Sequence, residues 1–292
     1  MEPRRNSGLT ILAAAMLFAA ALDVHAEGGG LQPAEAIVSA QRFKLHSEIL
    51  GEDRELVIHL PESYNQEQSQ AHRYSVVYLL DGRAYFDATI GIVHHLSASS
   101  AAVQRIPEYI VIGVVNTQRR RDMTPTRISS GPYSEGSGGS ANFRAFFEKE
   151  LMPQVDARFR TDKSSILVGH SLAGLFVLDT FVEQPRLFQA YIATDPSLWW
   201  DDNLIARRLA KQKKPAAASR VRLFIAQANS EATDEASTTH RAGIAAFREA
   251  LGNSQERALD SYKYFDDETH FSLPLVAIYS GLLAINADYQ KQ

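Results

Sequence analysis

The fold is decided by residues 165–174, which read SILVGHSLAG. The apolar start of this stretch leads into a sharp turn around Ser171, and a pattern of helical period begins at Leu172. Strand, turn and helix in that order form the setting of a nucleophile elbow, in which a strained backbone exposes a serine hydroxyl at the edge of a sheet. The turn requires small residues two positions before and after the serine. Gly169 satisfies this requirement, and Ala173, although not the usual glycine, is still small.

Ser171 is therefore predicted to be a nucleophile. The backbone N–H of Leu172 lies at the start of the following helix and is predicted to be the first donor to a developing oxyanion. The alternative is that Ser171 only caps the helix, which is a common structural role for serine.

Apolar runs and helical segments alternate on both sides of this stretch. Short runs that suit strands buried on both faces occur at 75–80, 109–115, 165–168, 190–193 and 221–226. Segments of helical period occur at 141–159, 172–182, 202–211, 239–251 and 273–287. Alternating polar and apolar residues over 41–50 and 55–60 predict a hairpin. The predicted class is α/β, with an α/β-hydrolase fold: a mostly parallel central sheet, helices on both faces and an N-terminal antiparallel hairpin.

The N-terminus is predicted to be a signal peptide over residues 1–26. Two arginines precede an almost purely apolar run over 9–22, and Val24-His25-Ala26 supplies small residues where a signal peptidase cleaves, after Ala26. A membrane anchor is the alternative, but about 14 apolar residues fall short of the roughly 20 that span a bilayer. Residues 27–36 are predicted to be a flexible leader and 37–292 a single domain. We expect a periplasmic or secreted protein without a stable membrane anchor.

The composition excludes several classes of protein. The 292 residues include no cysteine, which excludes disulfides, thiolate metal sites and a cysteine nucleophile. The net charge of −4 predicts no broad basic surface, so a nucleic-acid partner is not expected.

A serine hydroxyl needs an adjacent base, and in this fold the base follows the nucleophile and the acid along the chain. Only His240 and His270 follow Ser171. His270 lies in a loop before the last helical segment and is the predicted base, whereas His240 is interpreted as a solvated residue at the start of a helix. The acidic residues at 266–268 are interpreted as a solvated turn, and no metal site is predicted.

The acid should follow the strand at 221–226. Glu231 is nearest the end of that strand and is the predicted acid, with Asp234 as the second candidate. The second oxyanion donor should come from the loop after an earlier strand. Gly82 permits close approach of the backbone there, so the N–H of Arg83 is the predicted donor.

Three further residues are candidates for substrate binding. Trp199 and Trp200 follow a predicted strand on the side of the sheet where sites form, and could line an acyl or aromatic pocket. Packing in the core is an equal alternative for this pair. Arg121, in a run of three arginines, could bind an anionic substrate or be a solvated surface residue.

The chain resembles the esterase-D-like branch of the α/β-hydrolases, which includes feruloyl esterases, S-formylglutathione hydrolases and trilactone siderophore esterases. The resemblance is carried by YLLDG at 78–82, IGVVNT at 112–117, RDMTPT at 121–126, GHSLAG at 169–174, DPSLWWD at 195–201 and the segment around His270. It implies ester hydrolysis through an acyl-enzyme without a metal or other cofactor. It also supports Glu231 by its spacing, although the family often has aspartate there. The RDMTPT segment is closest to the siderophore-esterase-like subgroup.

The sequence thus predicts an exported serine esterase that acts on a small-molecule ester through Ser171, His270 and Glu231. Two alternatives stay open: an acyltransferase that uses the same residues, and a non-catalytic binding protein of the same fold. The sequence does not indicate the oligomeric state.

Overall fold

The protein was analysed as a computed structural model that describes residues 39–98, 104–212, 221–229, 235–252 and 258–289. From Ser39 onward the contacts form a single unit. The predicted signal peptide and leader, and both acid candidates Glu231 and Asp234, lie outside the described residues.

Eight strands form one sheet in the order β1-β2-β4-β3-β5-β6-β7-β8. The strands are β1 Gln41–Ser47, β2 Glu52–His59, β3 Tyr74–Leu79, β4 Tyr109–Val114, β5 Thr161–His170, β6 Ala190–Thr194, β7 Val221–Ala228 and β8 Ala258–Phe265. Strands β1 and β2 form an antiparallel hairpin, and β2 pairs antiparallel with β4. Strands β3 to β8 are all parallel. The predicted fold class is confirmed.

The α-helices are α1 Gly82–Ser97, α2 Arg119–Met123, α3 Ser140–Phe146, α4 Met152–Arg158, α5 Leu172–Glu183, α6 Trp200–Lys211, α7 Glu235–Gly252 and α8 Leu273–Ile285. The helix predicted over 141–159 is divided by a π-helical turn at Phe147–Leu151 just before Pro153, which has no N–H for a regular helical bond. Helix α1 was not predicted, although Phe86, Val93 and Leu96 repeat with helical spacing and are buried. Among the described helices, none is long and apolar enough to cross a membrane.

Alternate residues of β3 face opposite sides of the sheet and belong to two separate cores. Val77 and Leu79 belong to the core that contains buried residues of α1 and α8. Val76 and Tyr78 belong to the larger core, which contains buried residues of α3, α5, α6 and α7. Because both faces are covered, the central strands contain continuous apolar runs, which is why they could be recognised from the sequence.

Candidate active site

Ser171 lies between the end of β5 and the start of α5, in a strained backbone conformation with φ of 60° and ψ of −117°. The strain is held by neighbouring backbone: the N–H of Ser171 donates to the carbonyl of Thr194, and its carbonyl accepts from Ser197. A Cβ on Gly169 would lie 2.6 Å from backbone atoms of Ala173, so the turn requires glycine at 169. The structure therefore has the elbow that the sequence predicts.

His270 approaches Ser171 from the loop between β8 and α8. Its Nε2 lies 3.1 Å from the Oγ of Ser171, within hydrogen-bonding distance. Its Nδ1 lies 2.6 Å from the Oδ2 of Asp195. Thr269 and Ser272 hold the loop through reciprocal bonds between side-chain oxygen and backbone N–H. The predicted nucleophile and base are thus brought together from positions 99 residues apart.

Asp195 directly follows β6 and is 2% exposed. Its Oδ1 accepts the backbone N–H of Ala228 at 3.0 Å, so the carboxylate is fixed from two sides. Burial opposes ionisation, but the imidazoles of His240 and His270 outweigh it and hold the pKa of Asp195 well below its ordinary value of 3.8. Asp195 is therefore an anion beside the Nδ1 of His270.

Asp195 belongs to the DPSLWWD segment that carries the family resemblance, but it was not predicted as the acid. The contact between Asp195 and His270 occupies the Nδ1 position that the acid must take. Glu231, which was predicted for that role, lies beyond β7 and outside the described residues. An acidic residue two positions after the short apolar run at 190–193 was the available signal.

Two other histidines contact this pair. His240, on α7, has its Nε2 3.1 Å from the Oδ1 of Asp195 but outside hydrogen-bonding geometry. Its side chain is only 14% exposed, so the interpretation of His240 as a solvated residue is wrong. The ring of His170 lies 4.5 Å from that of His270, and burial together with the charge of His270 lowers the pKa of His170 to about 4. His170 thus packs on the base as a neutral ring.

The predicted oxyanion donors both lie at helix starts. Leu172 is the first residue of α5 and Arg83 the second of α1, so helix geometry leaves their N–H groups without an intrahelical acceptor. Asp81, just before α1, has a φ of 54° and forms a two-bond contact with the guanidinium of Arg119, at 2.7 and 2.9 Å. Arg119 also donates to the carbonyl of His170, which ties the two loops together.

A cleft of about 440 Å³ opens above Ser171 and His270. Trp199 lines it together with Tyr133, Arg119 and Phe271, whose side chain is 91% exposed. The cleft therefore combines aromatic surface with one guanidinium beside the nucleophile.

The other two predicted binding residues do not line the cleft. Trp200 is fully buried, and its Nε1 donates to the hydroxyl of Thr126. Arg121 is paired with Glu52 and Asp122, at 2.7 and 2.8 Å. The arginine that reaches the cleft is Arg119, two positions earlier.

In the part of the chain that the structure describes, one group of residues could hold a metal ion: Asp195, His240 and His270. One ligand atom from each lies within 4.8 Å of the other two. Two imidazoles and a carboxylate suit Zn²⁺.

Comparisons with known proteins agree with this geometry. A family model described as "Putative esterase" matches residues 47–272. An IroE-like serine hydrolase from Shewanella oneidensis is 33% identical, with 87% of this chain and 82% of that chain covered and a TM-score of 0.78.

Two curated relatives are esterases. Ferri-bacillibactin esterase BesA of Bacillus subtilis is 34% identical over 149 residues, which cover 46% of this chain and 52% of BesA. Siderophore triacetylfusarinine C esterase of Aspergillus fumigatus is 30% identical over 187 residues, 60% of this chain and 63% of that protein. The matched part of the chain thus spans between half and two thirds of the length of these relatives.

Proposed function

We propose that this chain hydrolyses carboxylic esters with Ser171 as nucleophile and His270 as base. The chain belongs to the esterase family whose model matches residues 47–272. The observation that carries the proposal is one continuous line of contacts. It runs from the Oγ of Ser171 to Nε2 of His270 at 3.1 Å, and from Nδ1 of His270 to Oδ2 of Asp195 at 2.6 Å.

We assign the acid role to Asp195 in place of Glu231. The carboxylate accepts the Nδ1 proton of His270, which leaves the Nε2 lone pair directed at the hydroxyl of Ser171. As Oγ attacks the ester carbonyl, Nε2 takes the hydroxyl proton, and the buried anion stabilises the imidazolium that forms.

The N–H groups of Leu172 and Arg83 are proposed to bind the oxyanion. Fixed donors of this kind stabilise charge that develops in the transition state and need no reorganisation. The imidazolium then protonates the departing alcohol, which leaves an acyl group on Ser171. Water, activated by the same Nε2, attacks the acyl carbonyl and releases the acid.

The substrate class we propose is a siderophore-type ester or lactone. One curated relative is named a siderophore esterase and the other a ferri-bacillibactin esterase. In the cleft, Tyr133, Trp199 and Phe271 offer aromatic surface to a planar ring, and Arg119 offers positive charge to an anionic one.

The test is hydrolysis of an ester panel by wild type and by the variants Ser171→Ala and Glu231→Gln. The panel holds short and medium p-nitrophenyl esters, a feruloyl ester and a catecholate trilactone with and without iron. We expect Ser171→Ala to lose on the order of 10⁴-fold or more in kcat, and Glu231→Gln to stay near wild type. Equal, low rates for folded wild type and Ser171→Ala would reject the esterase proposal.

Export is a separate proposal that rests on residues 1–26. Expression with the native N-terminus should give a protein that starts at Glu27, as read by N-terminal sequencing. Retention of Met1 in the isolated protein would contradict it.

A further inference from the structure

Asp195 is shared by two histidines, and the proposed reaction uses only one of them. Its Oδ2 is 2.6 Å from Nδ1 of His270, and its Oδ1 is 3.1 Å from Nε2 of His240. Nε2 of His240 is buried, and among the described residues no group forms a hydrogen bond of good geometry with it, the nearby Oδ1 of Asp195 included. A buried polar atom without a partner is costly, so its position beside a carboxylate needs an explanation.

The carboxylate of Asp195 lies close to both histidines, and one ligand atom from each of the three residues lies within 4.8 Å of the other two. Zn²⁺ binds imidazole nitrogen and carboxylate oxygen at about 2.0–2.2 Å, which puts tetrahedral ligand atoms roughly 3.3 Å apart. The separations of 2.6 and 3.1 Å would need to widen only slightly. All three residues line the cleft, which supplies an entry path and a fourth, open coordination position.

We propose that Asp195, His240 and His270 form an inhibitory Zn²⁺ site, at which metal binding and catalysis exclude each other. The reason lies in the proton on His270. Metal ligation at Nδ1 requires that nitrogen to lose its proton, so a neutral imidazole must carry its proton on Nε2. A protonated Nε2 donates to Oγ of Ser171 and cannot accept the hydroxyl proton. The ion also takes the carboxylate that would stabilise the imidazolium.

The binding test uses Ser171→Ala, which retains all three ligands and needs no esterase activity. Calorimetric titration with Zn²⁺ should give one site, with at least tenfold weaker affinity in the double variant Ser171→Ala/His240→Gln. A matched control is Ser171→Ala/His46→Ala, because His46 is an exposed histidine beside Asp53 and Glu48. Loss of the site in the His46 variant, or equal affinity in the His240 variant, would overturn the proposal.

A direct measurement covers the case in which His240→Gln does not fold. Crystals of Ser171→Ala soaked in Zn²⁺ should show anomalous density within bonding distance of all three ligand atoms. Density at His270 Nε2 alone, at a surface histidine alone or nowhere would overturn the site.

The inhibition test rests on the proposed esterase function. Zn²⁺ should lower kcat of the wild type, and a chelator should restore it. Each protein is compared with its own metal-free rate, and the Zn²⁺ concentration that halves this rate should be at least tenfold higher for His240→Gln than for the wild type. Equal sensitivity of the two proteins would overturn the assignment of His240. If Ser171→Ala binds Zn²⁺ as expected but the wild type hydrolyses no ester, the proposed function fails and the metal site stands.

Discussion

Replacement of Asp195 by asparagine tests the assignment of the acid most directly. The Oδ1 of Asp195 accepts the backbone N–H of Ala228, and a backbone N–H can only donate. The asparagine oxygen is therefore held at the Oδ1 position, and its NH₂ group is turned toward Nδ1 of His270. His270 must then accept at Nδ1 and carry its proton on Nε2, which removes the base that Ser171 requires.

The expected loss follows from that tautomer change. An amide in place of the triad carboxylate costs on the order of 10⁴-fold in kcat, which corresponds to about 5 kcal/mol of transition-state stabilisation. Steady-state hydrolysis of a p-nitrophenyl ester measures kcat, and the double variant with Ser171→Ala should be no slower than Ser171→Ala alone, because the residues act as a unit.

Glu231→Gln is the matched control, since Glu231 was the acid predicted from the sequence. We expect it to stay within a few-fold of wild type. If Asp195→Asn kept activity within tenfold while Glu231→Gln lost several hundredfold, the reasoning from the Asp195–His270 contact would be refuted and the role would return to Glu231.

Three further predictions concern stability and binding. Gly169→Ala places a methyl group 2.6 Å from the backbone of Ala173 and should lower the free energy of unfolding by roughly 2–3 kcal/mol. Gly91→Ala, in open space within α1, should raise the free energy of unfolding by about 0.5–1 kcal/mol. Urea titration measures both changes, and equal effects would contradict the packing argument. Burial opposes ionisation of Glu52, but hydrogen bonds, chiefly from Arg121, lower its pKa from 4.5 to about 2. The contribution of Glu52 to stability is therefore full above pH 4.5 and is lost as pH falls toward 2. The difference in unfolding free energy between wild type and Glu52→Gln, measured from pH 6 to 2, should shrink over that window, and a constant difference would refute this prediction. Arg121→Gln breaks the pair between Arg121 and Glu52, which lies outside the cleft. The free energy of unfolding should therefore fall by about 1–3 kcal/mol, while KM stays unchanged for anionic and neutral esters alike. A rise in KM for the anionic ester alone would restore Arg121 as a binding residue.

The sheet and the elbow could be predicted because each depends on local sequence, and the histidine beside Ser171 could be predicted from its place along the chain. A strand buried on both faces needs a continuous apolar run, and the turn at Ser171 needs small residues at fixed positions, so both leave a pattern that can be read without coordinates. His240 and His270 alone follow Ser171, and His270 was chosen because it lies in the loop before the last helical segment.

The tertiary structure decided which carboxylate contacts His270. Strands β6 and β7 are adjacent and parallel, so residues beyond both end near the same edge of the sheet. Which carboxylate reaches His270 then depends on distances of a few ångströms across the sheet, and sequence spacing does not encode those distances. Tertiary packing likewise decides that Trp199 and Arg119 line the cleft while Trp200 and Arg121 do not.

The sequence by itself determined the α/β architecture and the serine at its sharp turn, because backbone geometry restricts which residues can occupy such positions; chain order pointed to His270. Only the tertiary structure decided that Asp195 contacts this histidine, that His240 lies buried on the other side of the carboxylate, and which aromatic and cationic side chains line the cleft. The contact between Asp195 and His270 joins residues 75 positions apart, and packing sets their separation.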